Sequence, residues 1–386
     1  MKHVLAVFAL VLCGCASAPQ AQSAPPAQLN VAYPPDLIVS AADQYLYEAE
    51  RIDPRVTVLA SPEPFHVQPL GNVSIIEQAH GFVLVDSGGS PPAAERIAAF
   101  VRAIDPNKPV TAIILTHWHG DHVLGLRTLL AAWPQARTIS TGPTRDNLLS
   151  PRTARFMPTE DAANNAALQA DLAGGVAFLN GRADDERLSA REREGYAQAG
   201  RELAQHARDH LHAARIAPAE VFTDRLLLDD ADAPVEVRFL GRANTDGDAV
   251  VWLPRQRILI TGDTVVSPIP YGFGSFPGEW IGVLNTMRAM DFAVLVPGHG
   301  APMRDRVYLD RLIALLTDVR GQVGPLAARG VPLAEVQTQV NLSAHADLFA
   351  AGDAWRRRWF TPYWAEPIIA SAYREARGEP IVQGES

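Results

Sequence analysis

Cysteine occurs twice in the 386 residues, at Cys13 and Cys15, both inside an apolar N-terminal stretch. Downstream of that stretch there is no disulfide and no thiolate metal ligand, so a metal bound by this chain must be held by nitrogen and oxygen donors. Positive charge is also in short supply. The formal net charge is −9, with 34 Lys and Arg against 43 Asp and Glu, and no basic stripe is present. That balance argues against nucleic acid as substrate or partner, because such proteins advertise a clustered cationic surface. Long apolar runs are missing as well, since the N-terminal run is too short for a confident membrane-spanning helix. Aromatic residues make up only 7% of the chain and gather in two places, "PIPYGFGSFPGEW" and "WRRRWFTPYWAEP". A hydrophobic fraction of 47% with 20% charge is that of a globular chain with a substantial core.

The first residues, "MKHVLAVFALVLCGCASAPQAQS", combine a positive start, an apolar run and small residues, the pattern of a secretory leader. "LCGC" at 12–15 resembles a bacterial lipobox, which would lipidate Cys15 and anchor the chain to the outer membrane. A plain cut after Ala18 is the alternative. Residues 1–18 are assigned to the leader, with the lipobox at 12–15, and on either reading the protein works in the cell envelope. Residues 19–54 read as a tether and N-terminal extension, rich in Ala, Pro and Gln at first. From 55 to 302, short apolar runs alternate with turns and one amphipathic helix ("PPAAERIAAFVRAI"), an α/β pattern. The stretch from about 143 to 215 changes to helical spacing without strand signals and reads as an insertion. Residues 303–386 read as a helical C-terminal extension.

The chemistry concentrates in "THWHGDH", residues 116–122. The β-branched run "KPVTAIILTH" ends at His117, and "HVLGLRTLLAAWP" continues at helical spacing to Pro134, so the motif lies on a strand-to-helix loop. Imidazole nitrogen and ionised carboxylate oxygen are the donors zinc and its relatives take. His117 and His119 alternate and can point the same way, while Asp121 and His122 fall where the chain turns into the helix. Later strand ends add Asp263 ("LITGDTVV"), His299 ("VLVPGHG") and Asn244 ("FLGRANTDGD").

These motifs are similar to those of the metallo-β-lactamase fold superfamily, from about Arg55 to Pro302 without the insertion. The resemblance implies an α/β fold, an αββα four-layer sandwich with two metal positions along one edge. One would take His117, His119 and a third residue at position 244. The other would take Asp121, His122 and His299, with Asp263 bridging both. It implies zinc, one or two ions, and hydrolysis of an ester, lactone, thioester or amide bond through a metal-bound hydroxide, oriented by Asp121 or Asp263. The departure is Asn244, where the superfamily usually has histidine. A neutral amide oxygen is a poorer zinc donor, so the first position should be weak and open to another divalent metal. "Asn-Thr-Asp-Gly" is equally a good tight turn.

His206 and His210, spaced i, i+4 in the insertion, are chelate-like, though histidines in so charged a helix usually face solvent. His66, His80 and His345 lack ligand-like neighbours. The loop carrying Tyr271, Phe273, Phe276 and Trp280 reads either as packing over the sheet or as a cleft wall, with Tyr271 a donor to a developing oxyanion. A small-molecule substrate is expected, and protein partners are not specified. A β-lactamase proper and a non-catalytic envelope protein that binds a ligand or metal in the same pocket are the competing readings.

Overall fold

A computed structural model describes residues 47–61, 65–67 and 70–384, so the leader, its lipobox and most of the tether lie outside the described residues. Two sheets face each other. The larger has seven strands in chain order: β1 (Glu48–Asp53), β2 (Val56–Ala60), β3 (Val73–Glu77), β4 (Phe82–Val85), β5 (Val110–Ile114), β6 (Arg137–Thr141) and β7 (Glu220–Phe222). β1 to β4 are antiparallel neighbours, whereas β4 to β7 run parallel. The smaller sheet has the order β12-β11-β10-β9-β8, from β8 (Arg225–Leu228), β9 (Val235–Phe239), β10 (Ala249–Leu253), β11 (Ile258–Ile260) and β12 (Val294–Val296). β1 lies N-terminal to the boundary drawn at residue 55, yet it pairs with β2 as the edge of the larger sheet.

The two-residue period of the strands sorts the core into layers. Val83 and Val85 of β4 point between the sheets to meet Val235, Val251, Ile260 and Val296. Leu84 points the other way, onto Ile97, Phe100 and Val101 of α1 (Pro91–Ile104). On the far side, Leu259 and Leu295 pack with residues of the helices Pro277–Ala289 and Val307–Ala328. Buried on both faces, β4 is a continuous apolar run and β2 is apolar but for Thr57. The result is the expected αββα sandwich.

α1 starts where Ser90 caps it and Pro91 and Pro92 fill its first turn, positions that need no donor. The run after the histidines is two helices rather than one: α2 (Gly120–Val123) and α3 (Leu126–Ala132). Gly125 separates them, and a Cβ there would sit 2.0 Å from the Ser87 carbonyl oxygen. Between 142 and 210 come α4 (Gly142–Leu149), α5 (Ala162–Ala183) and α6 (Ala190–His210), with no strand among them. α7 (Pro277–Ala289) precedes β12, and α8 (Val307–Ala328), α9 (Leu333–Gln339), α10 (Ser343–Ala350), α11 (Ala354–Phe360) and α12 (Glu366–Ala376) follow it. A π-helical turn, Thr361–Ala365, joins α11 to α12. Among the described residues no helix is long and apolar enough to cross a membrane.

Candidate metal centre

The seven residues assigned to the two metal positions all follow the ends of strands on one edge of the sandwich. β5 runs into His117 and His119, with Asp121 and His122 in α2. β9 leads to Asn244, β11 to Asp263, and β12 to His299. Rigid strands ending in short loops are the usual way to hold such a constellation.

Two sets of donors converge, His117 with His122 and Asp263, and Asp121 with His122 and His299, each within 4.8 Å of one another. Asp263 stands between them. Its Oδ1 is 3.1 Å from His122 Nε2 and 3.4 Å from His299 Nε2. Its Oδ2 is 3.5 Å from His117 Nε2 and 3.8 Å from His119 Nδ1. Asp121 Oδ2 lies 3.3 Å from His122 Nε2 and 3.0 Å from His299 Nε2. Asp263 is 1% exposed, and among the described residues neither carboxylate oxygen has a hydrogen-bond partner, only imidazole nitrogens beside it. A buried carboxylate needs positive charge next to it, which a metal supplies as well as protonated histidines do, so the residues fit a metal. Gly298 permits the close approach of the last loop, because a Cβ there would lie 2.0 Å from Asp263 Oδ1.

Charge is finely arranged. Burial opposes a proton on His122, but Asp121, Asp263 and Asp86 hold its pKa well above the ordinary value. His299 is likewise raised to about 9, against burial, by Asp263 and Asp121. Burial pushes His117 down to about 4, leaving it neutral. Asp121 and Asp263 are held well below the usual carboxylate range, against burial, by the surrounding histidines.

The sequence reading missed the support behind the ligands. Asp86, just past β4 and 2% exposed, accepts from Thr116 N (2.8 Å) and Thr116 Oγ1 (2.9 Å), and pairs with His122 Nδ1 at 2.8 Å. Thr116 Oγ1 also lies 3.0 Å from His117 Nδ1. Asn72, at the start of β3, donates to the Pro297 and Gly300 carbonyls on either side of His299. The available signal was "FVLVDSGG", a lone carboxylate followed by a glycine turn at a strand end.

Asn244 is fully buried. Ser275 Oγ donates to its Oδ1 at 3.2 Å, and its Nδ2 has no hydrogen-bond partner. One lone pair of that oxygen remains for a metal. Asp246 is bonded to Asn147, and Asp248 to Thr245. His206 and His210 belong to neither converging set, but α6 does not turn them to solvent. Their rings lie 3.8 Å apart, and His210 is 3% exposed. His66 pairs with Glu202 at 2.5 Å and His345 with Asp318 at 3.2 Å, while His80 is exposed.

The aromatic loop divides. Phe276 and Trp280 are core residues, with Trp280 Nε1 donating to the Thr264 carbonyl. Tyr271 sits over the site, its ring 5.3 Å from His299 and 5.2 Å from Tyr363 of the π-helical turn. Burial pushes its pKa well above the usual value, so the hydroxyl stays protonated at neutral pH and has a proton to donate.

The model of the metallo-β-lactamase superfamily matches residues 68–145 and 171–299. The chain belongs to this superfamily. Members of the superfamily usually bind zinc. The chain is 25% identical over 284 residues to a linear primary-alkylsulfatase of Pseudomonas sp., covering 70% of this chain and 50% of that protein. An atrochrysone carboxyl ACP thioesterase of Aspergillus chevalieri is 33% identical over 95 residues, covering 24% of this chain and 30% of the relative. Among solved structures, a stereoselective inverting sec-alkylsulfatase of Pseudomonas sp. superposes with a TM-score of 0.54 at 15% identity, over 86% of this chain and 51% of the other. The chain thus spans about half the length of the alkylsulfatases it matches, and the structural likeness speaks for the fold alone.

Proposed function

We propose that this superfamily hydrolase cleaves an ester-type bond of a small molecule, carboxylic, thioester or sulfuric, in the cell envelope. The observation that carries the hydrolytic reading is the orphaned Asp263 carboxylate, with one oxygen turned to His122 and His299 and the other to His117 and His119. Its two faces suit the bridging role between two zinc positions. Sulfuric esters join the bond types because the alkylsulfatase similarity spans most of the chain and the thioesterase similarity only a quarter. The envelope assignment rests on the leader alone.

Zinc held there supplies a Lewis acid and lowers the pKa of a water at neutral pH. The chain's own residues do the rest. Asp121 has a 29% exposed side chain against 1% for Asp263, so it is the carboxylate of the two that reaches solvent and would orient a water there by accepting its hydrogen bond. Tyr271 offers a fixed donor where negative charge develops on the substrate. His117 is already neutral and needs no deprotonation to serve as a ligand.

The test is a panel comprising a linear alkyl sulfate, an aryl ester, a lactone and an acyl thioester. The zinc-loaded chain should turn over at least one, lose that activity to a chelator and regain it with zinc. A zinc-loaded protein inert to the whole panel, or activity indifferent to chelation, would overturn the proposal.

A further inference from the structure

We propose that Gln383, in the tail after α12, is a positioning residue of the hydrolytic site, clipping the His119 loop to the Tyr271 loop. The inference rests on the hydrolase reading above. Trp118 lies between His117 and His119, and its ring is 4.7 Å from that of His119. It is 5% exposed, so its indole N–H needs a partner inside the protein. That partner is Gln383 Oε1, at 2.9 Å. The same side chain's Nε2 donates to the Gly274 carbonyl at 2.8 Å. Gly274 is three residues beyond Tyr271, whose ring lies against His299.

One amide therefore uses its acceptor on one wall of the site and its donor on the other. Gln383 is itself 5% exposed, so water does not compete for either bond. The loop is pinned at its far end, where Trp280 donates to the Thr264 carbonyl beside Asp263. Gln383 holds the tip. Only a side chain with both an acceptor and a donor fits: a carboxylate keeps the Trp118 bond and faces the Gly274 carbonyl with no proton to give.

The experiment uses the full chain and its Gln383→Ala, Gln383→Glu and Trp118→Phe variants, with Trp118→Phe also combined with each Gln383 substitution. Readouts are zinc affinity by chelator competition, KM and kcat, and the emission of Trp118 isolated as the difference between each protein and its Trp118→Phe counterpart. Loss of the clip in Gln383→Ala should weaken the looser zinc position roughly tenfold and raise KM by a similar factor, the worth of about one buried hydrogen bond, with kcat changing less. Trp118 emission should shift. Gln383→Glu should restore the Trp118 emission and only part of KM. The Gln383→Ala/Trp118→Phe variant should be no worse than the worse single one, since both cut the same link. Wild-type zinc affinity and KM in Gln383→Ala, fully additive effects, or unchanged Trp118 emission would each overturn the clip. If the unmodified chain bound no zinc, the hydrolase reading would fall, and Trp118 emission would still decide the clip.

Discussion

Replacing Asp86 separates two contributions of one buried carboxylate, to folding and to metal binding. Asp86 receives the backbone N–H and the hydroxyl of Thr116 and pairs with His122 Nδ1, all within 2.9 Å. Asp86→Ala leaves those three groups unsatisfied beside a small void. At roughly 1–3 kcal/mol for each unsatisfied group, with partial relaxation, the loss is on the order of 3–5 kcal/mol, a large share of a typical domain stability of about 5–15 kcal/mol. Asp86→Asn is more informative. An amide is the same size but brings an N–H₂ where an oxygen was, and it must face either the Thr116 backbone N–H or His122 Nδ1. The backbone cannot change, whereas the imidazole can change tautomer and move its proton to Nε2, the nitrogen that faces Asp121 and Asp263. That nitrogen must be bare to bind a metal. Asp86→Asn should therefore melt near the unmodified chain while binding zinc about 10–100-fold more weakly. Urea unfolding and chelator competition on both variants measure the two effects. Undiminished zinc affinity in Asp86→Asn would refute the tautomer argument, and an unchanged unfolding midpoint in Asp86→Ala would refute the ledger of buried donors.

Asp121→Ala, His122→Ala and His299→Ala should each abolish metal-dependent hydrolysis, because each removes one donor from the same converging set; elemental analysis beside turnover checks this, and a fully metallated, fully active variant would count against the assignment. The unmodified chain should keep close to one zinc after dialysis, and Asn244→His should raise affinity for a second at least tenfold, about the gain of a better ligand in place of an amide. The His299 pKa of about 9 lies above its unfolded value of about 6.5. Its stabilisation of the metal-free protein is thus full below about pH 6.5 and lost as pH rises through 9, a trend that unfolding midpoints with and without zinc would show or deny. Cys15→Ser should release the protein from membranes, and a soluble unmodified protein beginning at Pro19 would instead identify the plain leader cut.

What was legible in the sequence was local. "THWHGDH" declares itself because four ligands fall on one strand-to-helix loop, and α1 because Ser90 and two prolines mark its start. β6 and β7 escaped notice, one being the polar "RTIST" and the other three residues long. Their place is set by pairing beside β5 rather than by their own pattern. Asp86 lies 36 residues from His122 and Gln383 lies 265 from Trp118. No local period links such partners, since the fold alone brings them together. Tyr363 is similar: a π-helical turn far along the chain sets its ring against Tyr271.

The charges of the site explain why its two positions should differ even apart from Asn244. Without metal, the histidines hold Asp121 and Asp263 well below the usual carboxylate range, and the carboxylates around them, Asp86 included, hold His122 and His299 above the usual imidazole value. Opposite charges thus offset one another in the set. A divalent ion entering between Asp121, His122 and His299 displaces histidine protons, so part of its charge replaces charge already there. The position beside His117 offers no such exchange. Burial holds that histidine's pKa down at about 4, and an Asn244 ligand would add only an uncharged oxygen. A second divalent ion adds about two positive charges to an enclosed site, which is unfavourable unless an anion enters with it. The second metal and an anionic group of the substrate should therefore bind cooperatively. Asn244→His improves the donor without changing that charge balance, so its gain in affinity should be largest when an anion is present.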